Sequence, residues 1–236
     1  MNVLVLGSGG REYAMAYYIS QSPLLSKLFV APGSDAMANF ATVVDLNVHN
    51  SIEVAQFCKK EDIKLAVIGP EEFLFSGLSD SLAAEDVLVF GPNKAAAELE
   101  SSKIFTKDLC SMEKIPTAKY GYFDDPVVAK NFVDKMKLPV VVKANGPASG
   151  KGVVVCYTRD EAYETVDKML IDRQFEDSSS AIIIEEYLEG DEISLLTLVD
   201  GTNVIVLGIA QDHKTAYEGD KGPNTGGMGA YSPVSI

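Results

Sequence analysis

The spacing of four short apolar runs constrains the fold of this chain more than any other feature. Residues 3–6, 28–31, 65–68 and 87–90 are apolar, and helix-compatible stretches separate them. Their alternation with helical patterns predicts a parallel α/β sheet over the first hundred residues. Asn50 followed by Glu53 has the form of an N-cap with its capping partner. With Ile52, Ala55 and Cys58 at helical spacing, it predicts a helix over about 51–61.

The pattern changes after residues 91–103, GPNKAAAELESSK, which places a module boundary near 102. A chain of 236 residues accommodates two such modules. Asp125 before Pro126 starts a helix with Val128, Phe132 and Met136 on one face, followed by a strand over 139–143. A glycine-rich loop leads to a strand over 153–157, and Thr158 with Glu161 forms a capping box ahead of Ala162, Val166 and Leu170. Strands are expected over 181–185 and 193–199, with a hairpin signal at Asp200-Gly201. The second module therefore reads as α+β with antiparallel pairing. From 211 onward the sequence is polar and glycine-rich, and it reads as a loop with no closing element behind it, so the chain is expected to be cut short.

Charge and cysteine usage narrow the function classes. Twenty basic residues against 34 acidic ones give a net charge of -14, which disfavours nucleic acid and anionic membrane surfaces as partners. A small phosphorylated ligand remains compatible, because a few lysines and backbone N–H groups suffice to hold one. The three cysteines, Cys58, Cys110 and Cys156, form no C-x-x-C pair, which points to reduced thiols. The N-terminus has no basic segment ahead of its apolar run, and no apolar run approaches the about 20 residues that span a bilayer. A cytoplasmic monomer acting on small molecules is the expectation.

Four motifs carry candidate chemistry. Gly7-Ser8-Gly9-Gly10-Arg11-Glu12 lies between a strand and a helix, where glycines bring N–H groups close to an anion. It fails as a dinucleotide fingerprint because Glu12 stands where the third glycine belongs, and a ligand-free tight turn is the plain alternative. Residues 143–152 carry Lys143, Gly150, Lys151 and Gly152 between two strands. That is no P-loop, but either a lid over a polyphosphate or a solvated hairpin. Residues 185–192, EEYLEGDE, could be a solvated turn, a metal site or a reader of nucleotide hydroxyls. Asp212-His213-Lys214 and the string 223–229, PNTGGMG, put an acid, a base and a glycine cradle close together, although a lone histidine is more often structural.

Taken in order, GSGGRE, GPE at 69–71, SSKIFTKD at 101–108, VVKANGPASGKGV at 141–153, EEYLEGDEIS at 185–194 and QDHK with GPNTGGMGAYSP at 211–233 resemble the phosphoribosylamine–glycine ligase family of the ATP-grasp superfamily. The resemblance runs from residue 1 to about 233, and its last motif is the most specific. It implies a parallel-sheet α/β pre-ATP-grasp domain over 1–102, followed by a partial α+β ATP-grasp domain over 103–236, with a lid subdomain at about 120–190. It also implies an enzyme of purine biosynthesis. ATP would activate the glycine carboxylate as a glycyl phosphate, and 5-phosphoribosylamine would attack it, giving glycinamide ribonucleotide, ADP and phosphate.

By motif match, Lys103 and Lys143 would hold ATP phosphates and Gly150, Lys151 and Gly152 would form the lid. Glu185, Glu186 and Leu188 would line the adenine site, and Glu192 would take the ribose hydroxyls. Gly9, Gly10, Glu12 and Glu71 would face the phosphoribosylamine, while Asp212, His213 and Lys214, with Asn224, Thr225 and Gly227, would close the acceptor side. The resemblance implies Mg²⁺, with Mn²⁺ as an alternative. The family's metal-binding Glu and Asn, however, belong to a later motif that is not found in these 236 residues. Two further departures are Tyr13, where the family has His, and Asn145, where it has Asp. The competing expectations are a catalytically incomplete nucleotide-binding fragment and, from another class, a Rossmann oxidoreductase.

Overall fold

In the computed structural model, which describes residues 1–148, 152–175, 178, 180–219 and 221–235, the chain forms two compact units, Met1–Ser101 and Ser102–Ile236. The apolar runs of the first unit become β1 (Asn2–Gly7), β2 (Lys27–Pro32), β4 (Ile63–Ile68) and β5 (Leu88–Phe90), joined by the two-residue β3 (Thr42–Val43). These five strands form one parallel sheet in the order β3-β2-β1-β4-β5. Leu4 and Leu6 belong to one buried cluster and Val3 and Val5 to another, so the continuous apolar run of β1 is covered on both faces. Helices α1 (Gly10–Ser20), α2 (Ser51–Lys60), α3 (Glu71–Phe75), α4 (Leu78–Ala83) and α5 (Lys94–Ser101) complete the unit. Asn50 caps α2 by accepting the N–H groups of Ile52 and Glu53, as its sequence position predicts.

The second unit opens with α6 (Lys103–Met112) and contains an antiparallel sheet in the order β6-β9-β7-β8. Its strands are β6 (Tyr120–Phe123), β7 (Val140–Ala144), β8 (Val153–Cys156) and β9 (Ile182–Glu186). Helices α7 (Pro126–Val133) and α8 (Arg159–Leu170) pack against it, burying Val140, Val142, Ile182 and Ile184 with Ala162 and Val166. The apolar face of α7 matches the expected one in part: Phe132 and Met136 pack against the core, Met136 from beyond the end of the helix, whereas Val128 is 53 % exposed and Ala129 and Val133 are the fully buried positions. Ala129 and Ala162, both fully buried, belong to the same core cluster, and side chains this small permit close helix packing.

The largest difference from the sequence reading concerns the polar tail. Residues after 211 are not a loop. They continue β11 (Asn203–Tyr217) and form β12 (Lys221–Tyr231), which pair antiparallel and join β10 (Ser194–Asp200) in a three-stranded sheet. Between the pairs His213–Gly229 and Thr215–Asn224, one residue of β11 opposes residues 225–228 of β12. Such a bulge requires unusual backbone, and Gly227 supplies it at φ +109°. The glycine-rich string that looked like a flexible loop is therefore the bulged partner of a long strand. Among the described residues no helix is long and apolar enough to cross a membrane, and Cys58, Cys110 and Cys156 are all free thiols.

Candidate functional site

Three constellations draw the nominated residues together, one in the first unit and two in the second. In the first unit, Gly9, Gly10, Glu12 and Glu71 lie at the carboxyl ends of the paired strands β1 and β4. Gly7 (φ +125°) turns the chain out of β1, and Gly9 serves as the N-cap of α1. Glu12 folds back into this turn and is only 4 % exposed. Its Oε2 accepts the Gly9 N–H at 2.9 Å and its Oε1 accepts Arg11 Nε at 2.9 Å. A Cβ on Gly7, Gly9 or Gly69 would collide with the Glu12 side chain. Glu12 thus occupies a cage of three glycines, which explains why the third fingerprint glycine is replaced: the carboxylate caps the helix from inside. Arg11, mostly exposed, donates from Nη2 to the Gly69 carbonyl at 2.6 Å and lies 4.0 Å from Glu71. Gly10 faces open space, whereas Tyr13 packs edge-on against Phe40.

In the second unit, Lys143 on β7 and Glu185 on β9 sit on neighbouring strands and form an ion pair. Glu185, 5 % exposed, has a second cation: Lys107 of α6, with Nζ at 2.6 Å from Oε2. That contact is an ion pair without a directed hydrogen bond to Oε2. Lys107 also donates to Thr117 Oγ1 at 2.7 Å and stands 5.3 Å above the Tyr120 ring. The cluster of two lysines and one carboxylate carries a net positive charge in a largely dry setting, where electrostatics are strongest.

Lys103, the first residue of α6, donates from Nζ to the Gly146 carbonyl at 3.0 Å. Asn145 holds the same helix end. Its carbonyl accepts the Lys103 N–H at 3.1 Å and its Oδ1 accepts the Ile104 N–H at 2.9 Å, while Ser102 caps Phe105. The departure from Asp therefore keeps an acceptor where the helix needs one. Gly152 is required by close approach, since a Cβ there would stand 2.6 Å from that of Ala148. Gly150 and Lys151 lie outside the described residues. Glu186 accepts the Lys119 N–H at 2.9 Å, which anchors β9 to β6, and Leu188 is exposed.

The β11–β12 hairpin carries the remaining candidates. Lys214 pairs with Glu192 and lies 3.9 Å from Asp212, so it links a residue nominated for ribose contact to another nominated for the acceptor side. The hydrogen bond that Lys214 donates to Glu192 raises the Lys214 pKa above its ordinary value, against a lowering by partial burial. His213 stacks on Tyr231 at 5.8 Å. Thr225 donates to the Lys214 carbonyl at 2.9 Å and accepts the Gly227 N–H at 3.0 Å, so the bulge is pinned to the strand bearing Asp212, His213 and Lys214. Asn224 pairs in register with Thr215 at the base of that bulge. The sequence reading passed over Lys107, although its position four residues after Lys103 puts both on one helix face. A shallow cavity of about 500 Å³ beside Ser79, Asp80, Gly91 and Asn93 contains none of the nominated residues.

Comparison with known proteins covers the chain end to end. Residues 1–100 match the phosphoribosylglycinamide synthetase N domain, and residues 101–236 match the phosphoribosylglycinamide synthetase ATP-grasp (A) domain. A phosphoribosylamine–glycine ligase of Mesorhizobium japonicum is 50 % identical over all 236 residues, which correspond to 55 % of that protein. The crystal structure of phosphoribosylamine–glycine ligase from Thermotoga maritima superposes with a TM-score of 0.84 at 30 % identity, covering 100 % of this chain and 56 % of that one. N5-carboxyaminoimidazole ribonucleotide synthetase from Thermus thermophilus, at 19 % identity and a TM-score of 0.65 over 92 % of this chain and 55 % of its own, shares the fold. The chain spans about half the length of the curated relatives it matches.

Proposed function

Because the chain belongs to the phosphoribosylglycinamide synthetase family, we propose that residues 1–236 are the N-terminal portion of an ATP-dependent carbon–nitrogen ligase that joins glycine to 5-phosphoribosylamine. The supporting observation is the unbroken, ordered match of two family domains along the whole chain. We divide it at about 102 into an acceptor-side domain and an ATP-grasp domain, with a lid subdomain over about 120–190. ATP, when bound, supplies the phosphoryl group that makes the glycine carboxylate a competent electrophile by giving it a leaving group.

Each constellation then has a role. Lys143 and Lys103 attract the nucleotide phosphates, with Gly150, Lys151 and Gly152 as the lid over them. Glu185, Glu186 and Leu188 shape the adenine end, and Glu192 takes the ribose. The Gly9-Gly10 turn, braced by Glu12 and flanked by Glu71, presents the N-terminus of α1 to the phosphoribosylamine. Asp212, His213 and Lys214, with the pinned bulge of Asn224, Thr225 and Gly227, close the acceptor side. Among the described residues no group of three or more His, Cys, Asp or Glu side chains could hold a metal ion, so no residue of this chain is assigned to Mg²⁺ or Mn²⁺.

The test is ADP release with ATP, Mg²⁺, glycine and freshly generated phosphoribosylamine, each omitted in turn. ADP that depends on glycine and on the amine supports the ligase. ATP binding without such turnover supports the second reading, a catalytically incomplete nucleotide-binding portion, which the half-length match to the relatives favours. Lys143→Ala is expected to weaken ATP binding by about 2 kcal/mol, the range of a charge-assisted contact. Unchanged affinity, measured by calorimetry, would remove Lys143 from the site.

A further inference from the structure

We propose that Lys107 is a positioning residue for the nucleotide phosphates, acting through Glu185 to leave the Lys143 charge available. The inference rests on the nucleotide site proposed above. Glu185 is buried and divides its two oxygens between Lys143 and Lys107. The two lysines are not equivalent. Lys107 is fixed by Thr117 Oγ1, by the Ala118 carbonyl at 3.4 Å and by the Tyr120 ring, and its side chain is 13 % exposed. The Lys143 side chain is 26 % exposed.

A one-to-one pair of Lys143 with Glu185 would be neutral and would draw no anion. Lys143 could then turn to a phosphate only by leaving a buried carboxylate unpaired, which is costly. With Lys107 in place, the cluster keeps one surplus positive charge, carried on its more exposed member. Lys143 can shift toward an anion while Glu185 stays compensated. Because Lys107 lies four residues after Lys103 on α6, the same contact also fixes the helix that presents the other nominated cation.

The experiment compares wild type with Lys107→Met and Lys107→Arg in two ways, after urea midpoints confirm folding. Lys107→Gln, which keeps a donor for Thr117, replaces the methionine variant if the latter fails to fold. The first readout is calorimetric affinity for ADP and for adenosine. Lys107→Met should weaken ADP about tenfold and leave adenosine within twofold, and Lys107→Arg should restore ADP. Equal losses for both ligands, the mark of a merely structural role, or no loss at all, would overturn the proposal. The second readout needs no nucleotide: acetylation of Lys143 by a small activated ester, followed by peptide mass spectrometry, with exposed Lys60 as control. Lys143 should react several-fold more slowly in Lys107→Met, because its ammonium then holds Glu185 alone. Unchanged Lys143 labelling would overturn the charge sharing whatever ADP does. The expected labelling contrast in a wild-type chain that takes up neither ligand would sustain the charge sharing and remove the nucleotide reading instead.

Discussion

Glu12 and Glu185 are equally hidden, at 4 % and 5 % exposure, yet the two units compensate their charges in opposite ways. Glu12 is satisfied within its own turn by the Gly9 N–H and by its neighbour Arg11, and three glycines close around it. Glu185 is satisfied across the fold, by a lysine from an adjacent strand and a lysine from a helix. Backbone donors cannot leave, so the first arrangement fixes a shape. Side-chain ammoniums can exchange partners, so the second arrangement can respond to an arriving anion. One buried carboxylate organises a loop; the other regulates a charge.

The largest expected effect breaks that contrast on the Glu185 side. Glu185→Ala leaves Lys107 and Lys143 facing each other without an anion, and about 3 kcal/mol of stability should be lost, the lower end of the range for breaking a buried pair. The lower end applies because Lys143 keeps some contact with water. Urea denaturation measures it. A loss below about 1 kcal/mol would mean that water already compensates the lysines. The Lys107→Met/Glu185→Ala double variant should recover part of the loss, since it removes one of the stranded charges.

A smaller effect is expected on the Glu12 side. Glu12→Ala removes a charge-assisted bond to the Gly9 N–H and should cost about 2 kcal/mol. Glu12→Gln, which keeps an acceptor, should cost about half of that. The sharper test is a cycle with Gly69→Ala. Alone, this substitution drives a Cβ into the Glu12 carboxylate and should cost about 1–3 kcal/mol by overpacking. In the Glu12→Ala background the obstacle is gone and the penalty should largely vanish. Strict additivity of the two changes would show that the glycine serves the backbone rather than the cage.

The two sheets of the second unit show what could be read from sequence and what could not. The strands β7, β8 and β9 are legible because β-branched apolar runs of three to four residues between turn signals have few other uses, and their burial under α7 and α8 follows. The β10–β12 sheet is legible only in part. Val204, Ile205, Val206 and Leu207 form as apolar a run as any, yet all four are exposed, because burial depends on what lies against a strand and not on the strand alone. Its polar half escaped notice since Asp212, His213 and Lys214 alternate no apolar residues, and the pairing glycines of β12 imitate a loop. The same limit applies to the candidate sites. Lysine and glutamate positions could be nominated from motifs, but that Lys107 completes the Glu185 cluster depends on a contact between residues 78 positions apart, which no local pattern encodes.

Asn145 offers the finest test of the same distinction, because it performs with a neutral side chain what Glu12 performs with a charged one. Its Oδ1 accepts the Ile104 N–H at the start of α6, so Asn145→Ala should cost about 1 kcal/mol, the usual worth of a helix cap. Asn145→Asp adds a negative charge at the same helix end, which the helix dipole favours by about 0.5 kcal/mol. That charge would also stand beside the first residue of α6, Lys103, whose Nζ already donates to the Asn145 and Gly146 carbonyls. Stability and anion affinity should therefore move in opposite directions in the aspartate variant, with a higher urea midpoint and weaker ADP binding. A variant whose urea midpoint rises while its ADP affinity stays unchanged would mean that the Asn145 position serves the fold alone and that Lys103 contributes nothing to the field at the phosphates.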